Sequence, residues 1–249
     1  MSSIYRVAAD EIPNISITDK CIVLDLDSTL VHTQDREESR ERLQQIMSDP
    51  KLLDLRKRLY NIKIEDIDQP GSGTLDEFWG ITRPHIEEFL IFCFSYFRVV
   101  AVWSAGARLY VEAIVDRIFK NLPKPHIVFT KDDIRPKGTN IKDLELLFSV
   151  DPLISKTMNF ENTFALDDTP STFSRNQDNG VLIPKYEPDP QIDSLARDDP
   201  ALLQFKYWLN QENVISSTDV REIDKSEIFN HDVGYYLENA KPASFKFYG

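Results

Sequence analysis

The sequence predicts an α/β fold, a parallel sheet of about five strands with helices on both faces. Three observations carry that expectation. Short all-apolar runs, such as Cys21–Leu24, Val99–Trp103 and Phe164–Leu166, read as strands buried on both faces. Segments with helical spacing alternate with these runs, which is the pattern of strands joined in parallel by crossover helices. Polar residues gather just past the ends of the runs: Asp25 and Asp27, Ser104, then Asp167 and Asp168. In open α/β sheets, that edge is where ligands bind.

In chain order, residues 1–20 read as a lead-in whose Ile12, Ile15 and Ile17 alternate like an edge strand. Strand one covers residues 21–26. The connection after it, Gln34 to Tyr60, is charged and helix-prone. Leu43, Ile46 and Met47, then Leu52, Leu55 and Leu59, fall at helical spacing, and Ser48-Asp49-Pro50 splits the segment into two helices. Residues 60–67 alternate as a half-buried strand, turn at Gln69–Gly73 and return through Glu77–Ile81, which makes a hairpin. A helix opens at Thr82-Arg83-Pro84, with Thr82 or Arg83 near its cap, and runs to Tyr96. Strand two is Val99–Trp103, followed by a helix carrying Leu109, Ile114, Val115 and Ile118. Strand three is His126–Thr130. A polar loop leads to a short helix at Ile141–Phe148, and residues 149–162 read as a loop. Strand four is Thr163–Asp167, strand five Gly180–Pro184, and Asp198-Asp199-Pro200 caps a helix to Asn210. Residues 213–249 read as an extension, a helix plus an extended tail packed on the core or mediating partner contacts, so that the main domain spans residues 1–212.

Composition excludes several classes. A net charge of −12 over 249 residues argues against a general binder of nucleic acid or anionic membranes. The two cysteines, Cys21 and Cys93, both lie in apolar runs and read as small core residues, which fits a reducing compartment. Residues 1–10 lack an apolar signal core, and the longest apolar stretch, Phe89 to Trp103, is short for a membrane span and contains Arg98. The expectation is a soluble intracellular protein of nucleus or cytoplasm. Oligomeric state is not readable.

The chemistry centres on Asp25 and Asp27. Two acids at the end of a buried strand are costly, because burial and mutual repulsion both oppose ionisation. A cation relieves that cost, and magnesium is the candidate, since it takes oxygen ligands and bridges carboxylates to phosphates. The bland alternative is a polar turn in which Asp27 or Ser28 caps a helix. It leaves unexplained two acids on an otherwise apolar strand followed by Thr29-Leu30-Val31. Ser104 can cap the next helix or bind phosphate, and Asp167-Asp168 can cap a turn or repeat the Asp25 situation. A lysine near the helix start, Lys142 or its rival Lys137, completes the inventory for metal-assisted phosphoryl transfer.

Asp25-Leu26-Asp27-Ser28-Thr29 resembles the DxDxT signature of the haloacid dehalogenase (HAD) superfamily of aspartyl-phosphate phosphatases. The longer string from Asp25 to Thr33 resembles the version carried by phosphatases of the RNA polymerase II C-terminal domain, the FCP/SCP or NLI-interacting-factor-like family. Further motifs follow in the family's order: Arg83-Pro84-His85 with Glu88-Phe89-Leu90, Trp103-Ser104-Ala105, Gly138 to Lys142-Asp143-Leu144, Leu166-Asp167-Asp168-Thr169-Pro170, Asn179 to Pro184, and Asp198-Asp199 with Leu202. Together they span residues 18–212.

The resemblance implies a HAD-like Rossmannoid fold and Mg²⁺. It makes Asp25 the nucleophile and Asp27 the general acid/base. Ser104 and, in preference to Lys137, Lys142 hold the phosphoryl oxygens. The metal is bound by Asp25, Asp27 through its main chain, and Asp168, with Asp167 supporting it or orienting Lys142. The implied substrate is a phosphorylated protein segment, the RNA polymerase II tail being one candidate. The connection from Asp25 to Arg83 is too short for a large cap, which favours an open site.

Departures touch the substrate groove. Gln34–Leu59 is longer than the family's connection, the family's Gly-Arg-Asp after the Lys142 helix is absent, and Thr130-Lys131 follows Phe129 where some members have arginine. The rival readings are a binding module without catalysis, which should lack one of the essential residues, and a small-molecule or nucleotide phosphatase on the same fold.

Overall fold

The structure is a computed structural model, and it describes residues 16–34, 48, 53–67, 71–134, 137–150, 152–188 and 198–239. β1, Cys21–Leu24, opens the sheet, and β2, Val31–Gln34, follows after a tight turn. A helical turn, α1 (Leu53–Arg56), leads into β3 (Leu59–Glu65) and β4 (Leu75–Thr82). Then come α2 (Ile86–Tyr96), β5 (Val99–Trp103), α3 (Arg108–Ile118) and β6 (Ile127–Phe129). Two short helices, α4 (Leu144–Phe148) and α5 (Pro152–Thr157), precede β7 (Thr163–Asp167) and β8 (Gly180–Leu182). The chain continues through α6 (Ala201–Leu209), α7 (Glu212–Ser216) and α8 (Val233–Asn239).

Five strands form a parallel sheet in the order β6-β5-β1-β7-β8. β1 lies in the middle of this order. All four of its residues are buried, and a strand without a polar face is stable only when covered on both sides. The two-residue period sorts its side chains. Ile22 and Leu24, with Val100, Val102, Phe164 and Leu166, join a core completed by α2, α3 and α6. Cys21 and Val23, with Val99, Ala101, Trp103, Ile127 and Phe129, face Leu144 and Leu147 of α4 and Ile154 of α5. The chain moves outwards from β1 to β5 and β6, then crosses back to β7 on the other side of β1. β1 is therefore the switch point of the topology, where open sheets form their ligand crevice.

An accessory antiparallel sheet, β2-β4-β3, contains the expected hairpin and adds β2 to it. Among the described residues no helix is long and apolar enough to cross a membrane.

Several expectations change. β1 stops at Leu24, two residues early, because Asp25 turns aside towards other partners. Gln34, read as the start of a helical insertion, ends β2, and Leu59 and Tyr60 lie in β3. Most of the two-helix reading of residues 34–60, including Leu43, Ile46, Met47 and Leu52, lies outside the described residues, as do Ile12 and Ile15. The helix expected at Thr82 starts at Ile86. Thr82 ends β4, Arg83 is drawn into a buried ion pair, and His85 occupies the cap position with φ 64° and no side-chain cap. The helix expected from Ile141 starts at Leu144, because Asp143 accepts from the Glu145 amide and caps it. The loop read across 149–162 contains α5. Its proline sits in the first turn, where no amide is needed, and Ile154 seals the core. Beyond residue 212, Val214, Val220, Ile228 and Tyr236 all belong to the main core cluster, so the chain up to Asn239 is packed on the sheet domain.

Candidate active site

Strand register delivers the site residues to one edge. Leu24 pairs with Val102 of β5 and with Leu166 of β7, so Asp25, Ser104 and Asp167-Asp168 emerge side by side at the carboxyl ends of three adjacent strands. The Asp25 amide donates to Leu166 O at 3.0 Å, which ties the first residue past β1 to its neighbour.

Lys142 reaches this edge from the loop before α4. Its main-chain amide donates to Thr172 O at 2.6 Å, and its Nζ donates to Asp25 Oδ1 at 2.5 Å and to Asp167 Oδ2 at 2.6 Å. Lys142 is only 6% exposed, while the rival Lys137 is exposed, so the structure brings Lys142 and not Lys137 to the carboxylates. Asp167 spends its other oxygen on the Thr169 amide at 2.9 Å. It is fully engaged in holding Lys142 and the turn after β7. Asp168 is half-buried and has weaker company, the Thr29 hydroxyl at 3.4 Å and the Thr169 hydroxyl at 3.3 Å.

Asp25, Asp167 and Asp168 each offer an oxygen, and these oxygens lie within 4.8 Å of one another. Burial pushes the Asp25 carboxyl up to about 7; Lys142 opposes the rise and the Asp167 and Asp27 carboxylates add to it. Burial and then the Asp167 charge also raise the Asp168 carboxyl. For Lys142, burial by itself lowers the pKa, but Asp25 and Asp167 together outweigh it and the ammonium is held charged. Acidic oxygens thus crowd a single ammonium. A donor set of carboxylate oxygens with unbalanced negative charge fits a hard divalent cation, and the residues suited to hold one are Asp25 and Asp168, with Asp167 alongside.

Asp27 takes a different direction. The chain leaves β1 and closes a turn through an Asp27–Val31 bridge, with Ser28 in the left-handed region at φ 60°. The Asp27 carboxylate accepts a hydrogen bond at Oδ1 from the Tyr110 hydroxyl of α3, and burial raises its pKa despite that bond. Ser104, 1% exposed, follows directly after β5, and its Oγ accepts from the Gly106 amide at 3.0 Å. That is an ST-type turn at the mouth of α3, and the hydroxyl proton remains available to a ligand.

Sequence reasoning missed four contributors. Tyr110 holds Asp27, Thr29 touches Asp168, Thr172 fixes the Lys142 backbone, and Arg83 donates to Thr29 O at 3.0 Å. Arg83 and Thr29 were visible as motif members, but nothing local in the sequence marks Tyr110 or Thr172.

Comparison with known proteins bears on this arrangement. The model of the family described as NLI interacting factor-like phosphatase matches residues 20–221. The chain is 25% identical over 216 residues to CTD small phosphatase-like protein 1 of Caenorhabditis elegans, covering 85% of this chain and 36% of that protein. It is 24% identical over 202 residues to a probable C-terminal domain small phosphatase of Dictyostelium discoideum, covering 81% of this chain and 53% of the relative. The chain thus spans between about a third and about half of the length of these relatives. Its fold is similar to that of fission yeast RNA polymerase II CTD phosphatase Fcp1 bound to beryllium fluoride, with TM-score 0.54, 20% identity, and coverage of 72% of this chain and 45% of that one. A second structure, of Fcp1 described as an essential RNA polymerase II CTD phosphatase, gives TM-score 0.54, 17% identity, and coverage of 89% and 64%. The shared fold, and a family model that covers the chain from before β1 to beyond α7, lead to one conclusion: the chain belongs to the NLI interacting factor-like phosphatase family.

Proposed function

We propose that this protein is a Mg²⁺-dependent phosphomonoester hydrolase that works through an aspartyl-phosphate, with Asp25 as nucleophile and Asp27 as general acid/base. The observation that carries the reading is the Asp25–Lys142–Asp167 cluster at the end of β1, with Asp168 beside it. A carboxylate attacks phosphorus only if the repulsion between two anions is screened. Lys142 supplies one positive charge at the nucleophile, and Asp167 keeps that lysine in place. Asp25, Asp168 and the main chain of Asp27 are the groups that would hold Mg²⁺, which when bound neutralises phosphoryl oxygens and orients the phosphoryl group.

The chain's own residues then divide the work. An oxygen of Asp25 bonds to phosphorus as the bond to the leaving oxygen breaks, and Asp27 gives its proton to that oxygen. Asp27 next takes a proton from water, whose oxygen attacks phosphorus, and inorganic phosphate leaves with Asp25 restored. Ser104 donates its hydroxyl proton to a phosphoryl oxygen, and Lys142 moves from Asp25 towards another as the charge shifts.

A phosphoserine or phosphothreonine segment of a protein is the substrate class we favour, with the RNA polymerase II tail as the first to try. Two relatives carry CTD or C-terminal domain small phosphatase in their names, and the stretch between Asp25 and Arg83 is short for a large capping domain. Action in nucleus or cytoplasm goes with such a substrate. The test is phosphate release from p-nitrophenyl phosphate with Mg²⁺, with EDTA, and with Asp25→Asn. Activity lost in both controls supports the mechanism. Turnover that survives Asp25→Asn removes Asp25 as nucleophile. A folded, Mg²⁺-loaded protein without activity on aryl phosphates or phosphopeptides turns the reading towards a binding module.

A further inference from the structure

A general acid works only if its carboxyl is held at the leaving oxygen, and Asp27 sits on a turn rather than on a strand. Three hydroxyl groups surround it. Tyr110 of α3 donates to Asp27 Oδ1. The Thr33 hydroxyl of β2 stands close enough to Asp27 and Tyr110 to lower the pKa of each. The Tyr60 hydroxyl of β3 lies 2.7 Å from Thr33 Oγ1. Tyr60 and Tyr110 are both buried, at 4% and 8% exposure.

The route taken by Tyr60 is the notable part. β2 and β3 are not neighbours, because β4 runs between them. Gly80 of β4 is the residue paired with Thr33 on one side and with Tyr60 on the other. The Tyr60 ring crosses β4 over this glycine. A Cβ at Gly80 would collide with the ring Cζ and hydroxyl of Tyr60 and would stand 2.7 Å from His32 O. Glycine is thus required here for the phenol to reach Thr33. Phe78, also on β4, packs edge-on against the Tyr110 ring at 5.5 Å between centroids, so the accessory sheet braces Tyr110 as well.

We infer that Tyr110, Thr33 and Tyr60 are positioning residues for Asp27, so that the accessory sheet is a working part of the proton-transfer step and not only a wall of the groove. The inference rests on the phosphatase reading above. With Oδ1 accepting from Tyr110, the transferable proton is carried on the other carboxyl oxygen, which gives it to the leaving oxygen as the phosphorus–oxygen bond breaks. A phenol keeps its own proton across the working range, so Tyr110 acts as a fixed donor that aims Asp27.

The test separates leaving groups. p-Nitrophenolate departs without a proton, whereas a serine alkoxide needs one. Release of each group is followed in the burst of the first turnover, so that later hydrolysis of the acyl phosphate does not mask it. General acid–base catalysis contributes about 10²- to 10⁴-fold, and losing its alignment should remove roughly tenfold or more of that. Tyr110→Phe is expected to slow the burst on a phosphoserine peptide by this amount, with KM little changed, and to slow p-nitrophenyl phosphate by less than about threefold. Tyr60→Phe and Gly80→Ala should give smaller losses with the same preference. In an Asp27→Asn background, Tyr110→Phe should cost nothing more, because the group it aims is gone. Equal losses on both substrates, or an additive loss in the Asp27→Asn background, would overturn the inference while leaving the phosphatase reading intact. Turnover surviving Asp25→Asn would overturn that reading and this inference with it. Should Tyr110→Phe not fold, Thr33→Val carries the same comparison.

Discussion

The molecule buries two clusters of ions that differ in purpose. Arg83 and Asp199, at 0% and 3% exposure, meet through Nε at 2.8 Å and Nη2 at 3.0 Å. Two further guanidinium N–H groups donate to Thr29 O at 3.0 Å and to Pro184 O at 2.8 Å. One positive charge meets one negative charge, and the fork geometry is satisfied. At Lys142 one ammonium meets two carboxylates, with the Asp168 oxygen in the same 4.8 Å cluster. Burial is similar in the two places. The difference is balance: the first cluster pairs one positive with one negative charge, and the second leaves negative charge for something else to meet. Imbalance in a buried cluster, rather than burial of ions as such, marks the reactive edge.

That contrast can be broken from either side. The largest effect is expected for Asp25→Asn, which should lower turnover by at least about 10³-fold while leaving the folded protein at pH 8 as stable as before or more so, since it removes an ionised group from a desolvated site. Steady-state kinetics and thermal melts check the two halves, and a large drop in melting temperature would refute the idea that Asp25 is a strained, functional charge. Arg83→Met should do the opposite. Breaking a balanced buried pair costs about 3–5 kcal/mol, so urea unfolding should move by that amount, with activity lost in step with the folded fraction.

Lys142→Met tests the imbalance directly. Turnover should fall by roughly 10²-fold or more, as for loss of a charge-stabilising donor. Its destabilisation of the metal-free protein should be large at pH 8 and smaller at pH 5, where the Asp25 carboxyl carries a proton. A pH-independent loss would mean that Lys142 serves packing rather than charge.

A smaller effect comes from the proton itself. The Asp25 carboxyl is pushed up to about 7 by burial, above the ordinary carboxyl range near 4. A raised acid binds its proton more tightly folded than unfolded. Its stabilising contribution is complete below about pH 4 and is lost as pH rises through about 7. A divalent metal must displace that proton. Melting curves with and without Mg²⁺ between pH 5.5 and 8.5 should therefore show a metal-induced shift that grows with pH. A shift that shrinks with pH would exclude Asp25 as a ligand. Smallest of all, Lys137→Ala should change stability by less than about 0.5 kcal/mol and leave turnover unaltered.

How much of this was written locally in the chain can be read residue by residue. Asp25, Asp167, Asp168 and Ser104 announced themselves because each stands at or just past the end of an apolar run, and the break in such a run is visible locally. The five core strands were legible for the same reason. Boundaries drifted where a side chain had distant business. Arg83 looked like a helix-cap neighbour, yet its guanidinium lies in the interior beside Asp199, a partner more than a hundred residues away. The run around Pro152 looked like a loop because a short helix has too few residues to display a period, and what stabilises it is Ile154 sealing a core supplied by other elements. β2 was invisible because four residues, mostly polar, form a strand only when β4 is present to pair with them.

By itself the sequence determined the fold class, the edge of the sheet that carries the chemistry, and the acids gathered there, because hydrophobic period and strand-end polarity are local properties. Only the tertiary structure showed that Lys142, already favoured over Lys137 by the family resemblance, reaches both Asp25 and Asp167, that Asp167 spends its oxygens on that lysine and on the turn after β7, and that Tyr110 and the Tyr60–Thr33 pair stand near Asp27. Those choices depend on strand order and on contacts between elements such as α3, β2 and β3. Proximity of that kind has no local signature, since what brings the groups together is packing and not spacing along the chain.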